Sequence, residues 1–421
     1  MGIREIRSPR VGERYFEIDH PTGLKIFVYP KEGYHSTYAI FGTHYGSIHN
    51  SFRKNGGEVI TVPDGIAHFL EHKLFECEEG DAFARYAKTG ANANAYTSFD
   101  KTCYLFSCTD HFEESLEILL DFVTKPYFTD ETVRKEQGII GQEIKMYDDS
   151  PDWCCMFNML SKMYEHHPVR IDIAGTVESI AKITPDYLYS CYDTFYNLHN
   201  MALTVVGNVD VDTVLSIADR MLKKSENSIV ESFFEEEPEG VSDHYVEQKM
   251  PVGLPIFNFG FKEHSDRLVT TEEIAYTDIL LVMLASQNSP MYRDLLDSGL
   301  INSSFSHEFF EGEGFCVTIF GGESREPEKA ARMIRDYIRK AKEDGLSKED
   351  FEIAKRAVYG ENLSAFNSVS GIANAMMTYY FSKRELYSYI EAVANATFED
   401  VTQRLCSLMD EDKAVLSVVR S

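Results

Sequence analysis

The run His68-Phe69-Leu70-Glu71-His72 places two imidazoles and a carboxylate within five positions, in the pattern H-x-x-E-H. The surrounding residues predict a helix, on which positions i, i+3 and i+4 share a face. His68 and His72 can then grip one metal ion while Glu71 leans over the same open side. That combination equips a site to activate water and take its proton. So short a pattern has a plainer alternative, a solvated helix with a structural histidine pair, and the rest of the ligand set decides between them.

A hydrolytic metal centre takes a third protein ligand, usually carboxylate or imidazole, and keeps a fourth position open. Downstream, Thr129 is an expected N-cap, and Asp130 and Glu131 suit the positive end of a new helix. That helix runs through Val133, Ile139, Ile140 and Ile144 and carries Glu136 and Glu143. Seven residues is about two turns, so both carboxylates lie on one face about 10 Å apart along the axis. One can reach the metal and the other can support it from behind.

With these residues in view, the chain resembles the pitrilysin/insulinase family of zinc peptidases, in a processing-peptidase-like bacterial subgroup of about this length. In that family the motif is followed by a glutamate ligand about seventy residues on, with another glutamate seven residues before it. Here Glu143 follows His72 by 71 positions, and Glu136 fills the earlier slot. Residues Pro63 to Ala67, Gly90 to Phe106, His166 to Thr184 and Phe195 to Asp210 also match the family's pattern. The resemblance implies that His68, His72 and Glu143 hold Zn2+, that Glu71 is the general base, and that Glu136 supports the ligands.

The activity so implied is zinc-dependent endopeptidase cleavage of peptides or small unfolded precursors. Asn94, Ala95 and Tyr96 fall on the implied substrate-binding edge, where an extended peptide adds to a sheet through main-chain bonds. The residues alone read as an ordinary sheet edge. In the second half, Ser289 to Leu300 takes the place of the motif helix without a histidine pair. Relatives supply an arginine there and a tyrosine seven residues later; Arg293 fits the first, but Leu300 stands at the second. A missing phenol removes a transition-state donor worth about 3 kcal/mol. The expectation is a catalytic subunit working with a zinc-free homologous subunit or in a homodimer, unless another residue compensates. The competing class is a nonhydrolytic partner or scaffold that keeps the metal site for stability. Scavenging and precursor processing share the same chemistry.

Net charge of −27 speaks against nucleic acid as a partner and suits neutral or basic peptides. The charged opening residues lack a signal-peptide core, and no apolar run is long enough to span a membrane, so a cytoplasmic protein is expected. Eight cysteines without C-x-x-C spacing read as reduced, packed thiols, Cys103 and Cys108 among them on a strand.

The elements that must position the site appear twice. Thr129 to Glu143 has a counterpart in Ser347 to Glu361, each preceded by an amphipathic helix, Glu113 to Lys125 and Pro327 to Lys342, at an offset of 218 residues. The expected fold is α+β: two homologous halves, each a mainly antiparallel sheet with helices packed on it. Residues 1–224 form the metal-bearing domain, 225–245 an acidic linker, and 246–421 the homologous domain without the motif.

Overall fold

Short runs rich in Val, Ile, Phe and Tyr, suited to a pleated, half-buried surface, become a seven-stranded sheet in the computed structural model, which describes residues 2–78 and 80–421. Its strands are β1 (Gly2–Ser8), β2 (Glu13–Asp19), β3 (Lys25–Pro30), β4 (Thr37–Thr43), β5 (Asn92–Thr97), β6 (Thr102–Cys108) and β7 (Met201–Gly207), in the order β1-β2-β3-β7-β4-β6-β5. All neighbours are antiparallel except β3 and β7. The continuous apolar run of β7 is buried along its whole length, as a central strand covered on both faces requires. The two edges differ in chemistry. On β1, Arg4 pairs with Glu17 and Glu5 with Arg14, charges that blunt strand addition. At the opposite edge, β5 reads NANAYT and carries no charge.

The helices that matter for the site are α1 (Ile66–Leu74), α2 (Ala82–Thr89), α3 (Phe112–Val123) and α4 (Asp130–Asp148). Phe69 and Leu70 of α1, Leu119 of α3 and Ile140 of α4 meet Phe41, Tyr104 and Leu203 in one core. The start of α4 is set as its sequence suggests, with the Thr132 amide donating to Thr129 Oγ1 at 3.2 Å. Ile139 does not share the core with its neighbour Ile140. It stands about 100° around the helix from Ile140 and is 48 % exposed.

A second unit repeats the plan with α5 (Pro151–Met163), α6 (Pro290–Asp297), α7 (Pro327–Asp344) and α8 (Lys348–Ala365) around a five-stranded sheet. Its strands β8 (Tyr245–Lys249), β9 (Ile256–Lys262), β10 (Ser306–Gly312), β11 (Phe315–Glu323) and β12 (Ala414–Arg420) run in the order β8-β12-β9-β11-β10, with only β8 and β12 parallel. This is the order and sense of β3-β7-β4-β6-β5, strand for strand. The α8 start also repeats that of α4, the Asp350 amide donating to Ser347 Oγ at 3.2 Å.

Packing assigns segments differently from chain order. One unit comprises residues up to 144, 172–233 and 364–386; the other comprises 145–171, 234–363 and 387–421. Helix α5, from the first half of the chain, thus packs on the second unit's sheet. In return α9 (Val369–Phe381) packs on the first unit's β4 and β7. Each seat is cut by a glycine. A Cβ on Gly42 would lie 2.5 Å from Met377 Cε and 2.8 Å from Cys103 Sγ, and one on Gly260 would lie 2.6 Å from Met159 Sδ. Gly42 and Gly260, like Met159 and Met377, are 218 positions apart, so the duplication extends to the seat itself.

The acidic stretch between the halves is largely irregular, as its composition predicts, yet it is anchored. Val230–Ser232 pairs with Ser51–Lys54, and Arg53 holds Glu231 at 2.9 Å. Glu237 accepts from the amides of Glu165, His166 and His167 and from Lys262 Nζ. Burial opposes its ionisation, but these donors hold it below the usual carboxylate range. His167 caps the turn that follows it, accepting from the Val169 amide through Nδ1. All eight cysteines are unpaired, and Cys103 and Cys108 lie buried on β6. Among the described residues, no helix is long and apolar enough to cross a membrane.

Two stability predictions follow from this packing. Gly42→Val should cost about 1–3 kcal/mol by overpacking the α9 seat, and adding Met377→Ala should recover part of that loss in denaturant titrations. Glu263, 7 % exposed, accepts from the Met409 amide and Thr318 Oγ1 at the approach to β12, and burial pushes it up to about 7 from an ordinary 4.5. A raised acid favours the folded state fully below pH 4.5 and loses that contribution as pH rises through about 7. Glu263→Gln should therefore flatten the decline in melting temperature between pH 5 and pH 8.

Candidate active site

Helix α1 starts from a tightly constrained turn. Gly65 has φ +86°, and a Cβ there would lie 2.3 Å from the Ala174 carbonyl oxygen. Opposite it Gly175, at φ +73°, approaches the Asp64 carbonyl as closely, and Ser179 Oγ donates to that same carbonyl at 2.8 Å. Only glycine combines this backbone conformation with such contact. The entry to α1 is thereby fixed against the 172–180 segment. Every residue of α1 except His72 is buried, which removes the solvated-helix alternative.

The predicted ligands converge. His72 Nε2 lies 3.4 Å from Glu143 Oε2, His68 Nε2 lies 3.7 Å from Glu143 Oε1, and one ligand atom from each residue fits within a 4.8 Å group. Tetrahedral donors about 2.0–2.1 Å from zinc stand about 3.4 Å from each other, so the spacing fits that ion. The other ring nitrogen of His72, Nδ1, meets Glu136 Oε1 at 3.0 Å. A carboxylate there would keep a proton on Nδ1 and leave Nε2 as the nitrogen offered to a metal. His68 Nδ1 is buried and lacks such a partner. The two carboxylates of α4 thus take the separate tasks their two-turn spacing allows.

Burial and charge set the protonation of the metal-free site. Desolvation, reinforced by His72, pulls His68 down to about 4, leaving a neutral imidazole of the kind a metal binds. Burial also opposes charge on His72, but its bonds to Glu136 and Glu143 outweigh it and raise the ring to about 10. The proton on Nε2 must leave when a cation enters. Glu71, 8 % exposed, is pushed up to about 7 by desolvation against the Thr97 hydroxyl, which donates to its Oε2 at 2.6 Å.

A cavity of about 780 Å³ opens beside Glu71 and His72. Asn94 and Ala95 of β5 line it, with Phe75, Phe83, Tyr127 and Ile139 giving it an apolar side. The Ala95 amide donates to Asn94 Oδ1 at 2.9 Å. Tyr96 points to the face of β5 opposite Ala95, as strand alternation demands, and its hydroxyl donates to Asn374 Oδ1 at 3.1 Å. Its side chain is therefore committed inside the unit, leaving only its backbone for an edge role. Arg293 belongs to the second unit, on α6, where its guanidinium donates to the Asn288 carbonyl. Leu300 is 1 % exposed and fills that unit's core. The sequence reading missed Thr97, whose only signal was its place at the end of the strand carrying Asn94 and Ala95. It also missed the cavity role of Ile139.

Comparison with known proteins agrees with this geometry. Residues 61–177 match the model described as insulinase (peptidase family M16), and residues 182–358 match the peptidase M16 inactive domain. The chain is 43 % identical over 95 % of its length to the uncharacterized zinc protease YmfH of Bacillus subtilis (strain 168), covering 95 % of that protein. The chain belongs to the M16 family. A second relative from that organism, the uncharacterized zinc protease YmxG, is 27 % identical over 73 % of this chain and 76 % of its own length. The crystal structure of an M16-like peptidase from Alicyclobacillus acidocaldarius superposes with a TM-score of 0.92 at 36 % identity, covering 100 % of this chain and 98 % of that one. The M16 assignment agrees with the pitrilysin/insulinase resemblance read from the motif, and the relatives bear the name of zinc proteases.

If Glu136 orients His72 for metal, Glu136→Ala in this M16 chain should weaken zinc binding about 10- to 100-fold. Competition with a chromogenic chelator measures this, and an unchanged circular dichroism spectrum separates it from unfolding.

Proposed function

We propose that the chain is a zinc-dependent endopeptidase acting on peptides or small unfolded precursors. The observation that carries this reading is the meeting of His68 Nε2, His72 Nε2 and the Glu143 carboxylate in one group with the buried carboxyl of Glu71 beside it. When bound, zinc supplies a Lewis acid that polarises a carbonyl and makes water acidic near neutrality.

The chain's own groups do the rest. Glu71 takes the proton of the attacking water and returns it to the leaving amine, and the burial that opposes its charge favours taking up that proton. The uncharged edge of β5 receives an extended peptide through backbone hydrogen bonds, with Asn94 and Ala95 facing the cavity. A stability-only metal site would have no use for Glu71, and its burial beside Thr97 weighs against the scaffold alternative. With Leu300 in the second unit's core, no phenol stands at the family's tyrosine slot. On that ground we propose that the chain is a catalytic subunit completed by a zinc-free homologous subunit or by a second copy of itself, in the cytoplasm.

Peptide-library cleavage by the zinc-loaded protein, alone and with a zinc-free relative, tests this. Glu71→Gln should retain zinc and lose turnover by about 10²- to 10⁴-fold, whereas His68→Ala should lose the zinc itself, and chelation should abolish cleavage reversibly. Full activity in Glu71→Gln would refute the peptidase reading. High efficiency in the solitary monomer would refute the need for a partner.

A further inference from the structure

The site holds one polar contact that neither the ligand set nor the base requires by type. Thr97 is the last residue of β5, and its Oγ1 lies 2.6 Å from Glu71 Oε2. Its neighbour across the ladder is Thr102, fully buried, whose Oγ1 lies 3.4 Å from Thr97 Oγ1 and donates to the Tyr45 carbonyl at 2.8 Å.

Each hydroxyl has a single proton to give. That of Thr102 goes to Tyr45. The proton of Thr97 has two acceptors within reach, and the carboxylate at 2.6 Å outcompetes a neutral oxygen at 3.4 Å, because charge-assisted bonds are shorter and stronger. Thr97 therefore donates to Glu71. The strand end fixes the hydroxyl's place: β5 is held to β6 over six residue pairs, and Thr97 pairs directly with Thr102.

Among the described residues, Thr97 gives Glu71 the hydrogen bond that is present, on Oε2. A glutamate's terminal torsion is broad, so without a donor the buried carboxylate turns freely about its last bond. With one oxygen pinned, the other is defined in space on the wall of the cavity that Glu71 shares with His72, Asn94 and Ala95.

We propose that Thr97 is a positioning residue for Glu71: its hydroxyl holds Oε2 so that Oε1 is the oxygen presented to water. This rests on the peptidase reading above, with Glu71 as base. It also connects the two parts of the site, since the strand that offers its edge to the peptide is the strand that aims the base.

The test compares zinc-loaded wild type, Thr97→Ser, Thr97→Val and Glu71→Gln on one peptide cleaved by the wild type. Thr97→Val, which keeps the shape and removes the donor, should lower kcat about 10- to 100-fold with KM within about 2-fold and zinc content unchanged. Thr97→Ser, which restores the donor, should return kcat to near wild type. A second readout uses the metal-free proteins: the carboxylate stretch assigned by subtracting the Glu71→Gln infrared spectrum should shift in Thr97→Val and hold in Thr97→Ser. Wild-type kcat in Thr97→Val, or equal losses in the Val and Ser variants, would overturn the inference while leaving an active wild type and an inactive Glu71→Gln to uphold the peptidase reading. An inactive wild type would bring down that reading, and an unmoved carboxylate band would then overturn the role of Thr97 independently.

Discussion

One imidazole held from two sides organises the first unit. His72 meets Glu136 through Nδ1 and Glu143 through Nε2, and both acids stand on the same helix two turns apart. Neither contact survives if α4 slides or rotates against α1, so the ring is a gauge of their registration. Ile140, between the two acids in sequence, is fully buried in the core that α1 shares. Apolar packing therefore sets the distance that the polar groups exploit. This order of causes is economical, because an unpaired carboxylate in such a place would be costly to bury.

How much of this was legible before the coordinates depends on the range of the interaction. The motif face of α1, the two-turn spacing on α4 and the hydroxyl cap at Thr129 are local consequences of helix geometry, and they appear as read. The repeated halves were equally visible, since the 218-residue offset relates two helix starts of the same kind. Which of Ile139 and Ile140 faces the core was not legible, because two adjacent isoleucines cannot share one helix face and sequence alone does not choose between them. Tyr96 was placed on the right strand, but strand alternation sends its ring away from Ala95. Thr97 carried no sequence signal beyond its position, because its partner Glu71 lies 26 residues away and meets it only through the fold. The exchange of α5 and α9 lay wholly outside a reading by segment composition, since a helix of the right polarity suits either sheet.

The two edges of the first sheet show how one architecture separates stability from use. β1 is guarded by Arg–Glu pairs, while β5 is uncharged and bordered by a partly apolar cavity. A protein that needed only to stay monomeric would guard both. Leaving one edge bare is a hazard in an aggregation-prone environment, and here the bare edge is the one beside Glu71 and His72. The second unit keeps the same strand order without the histidines, so the repeated framework is older in logic than the chemistry it holds.

The reciprocal loan of helices also bears on how the chain is made. A ribosome releases β7, which completes the first sheet, long before it releases α9, which covers that sheet's other face. At about 5–20 residues per second the delay is roughly ten to thirty seconds, during which Gly42 and its neighbours on β4 and β7 await Met377 and Phe381. A growing chain in that interval displays a hydrophobic sheet face to its surroundings. The first unit therefore cannot finish folding until residues 364–386 have left the ribosome, however early its strands are made.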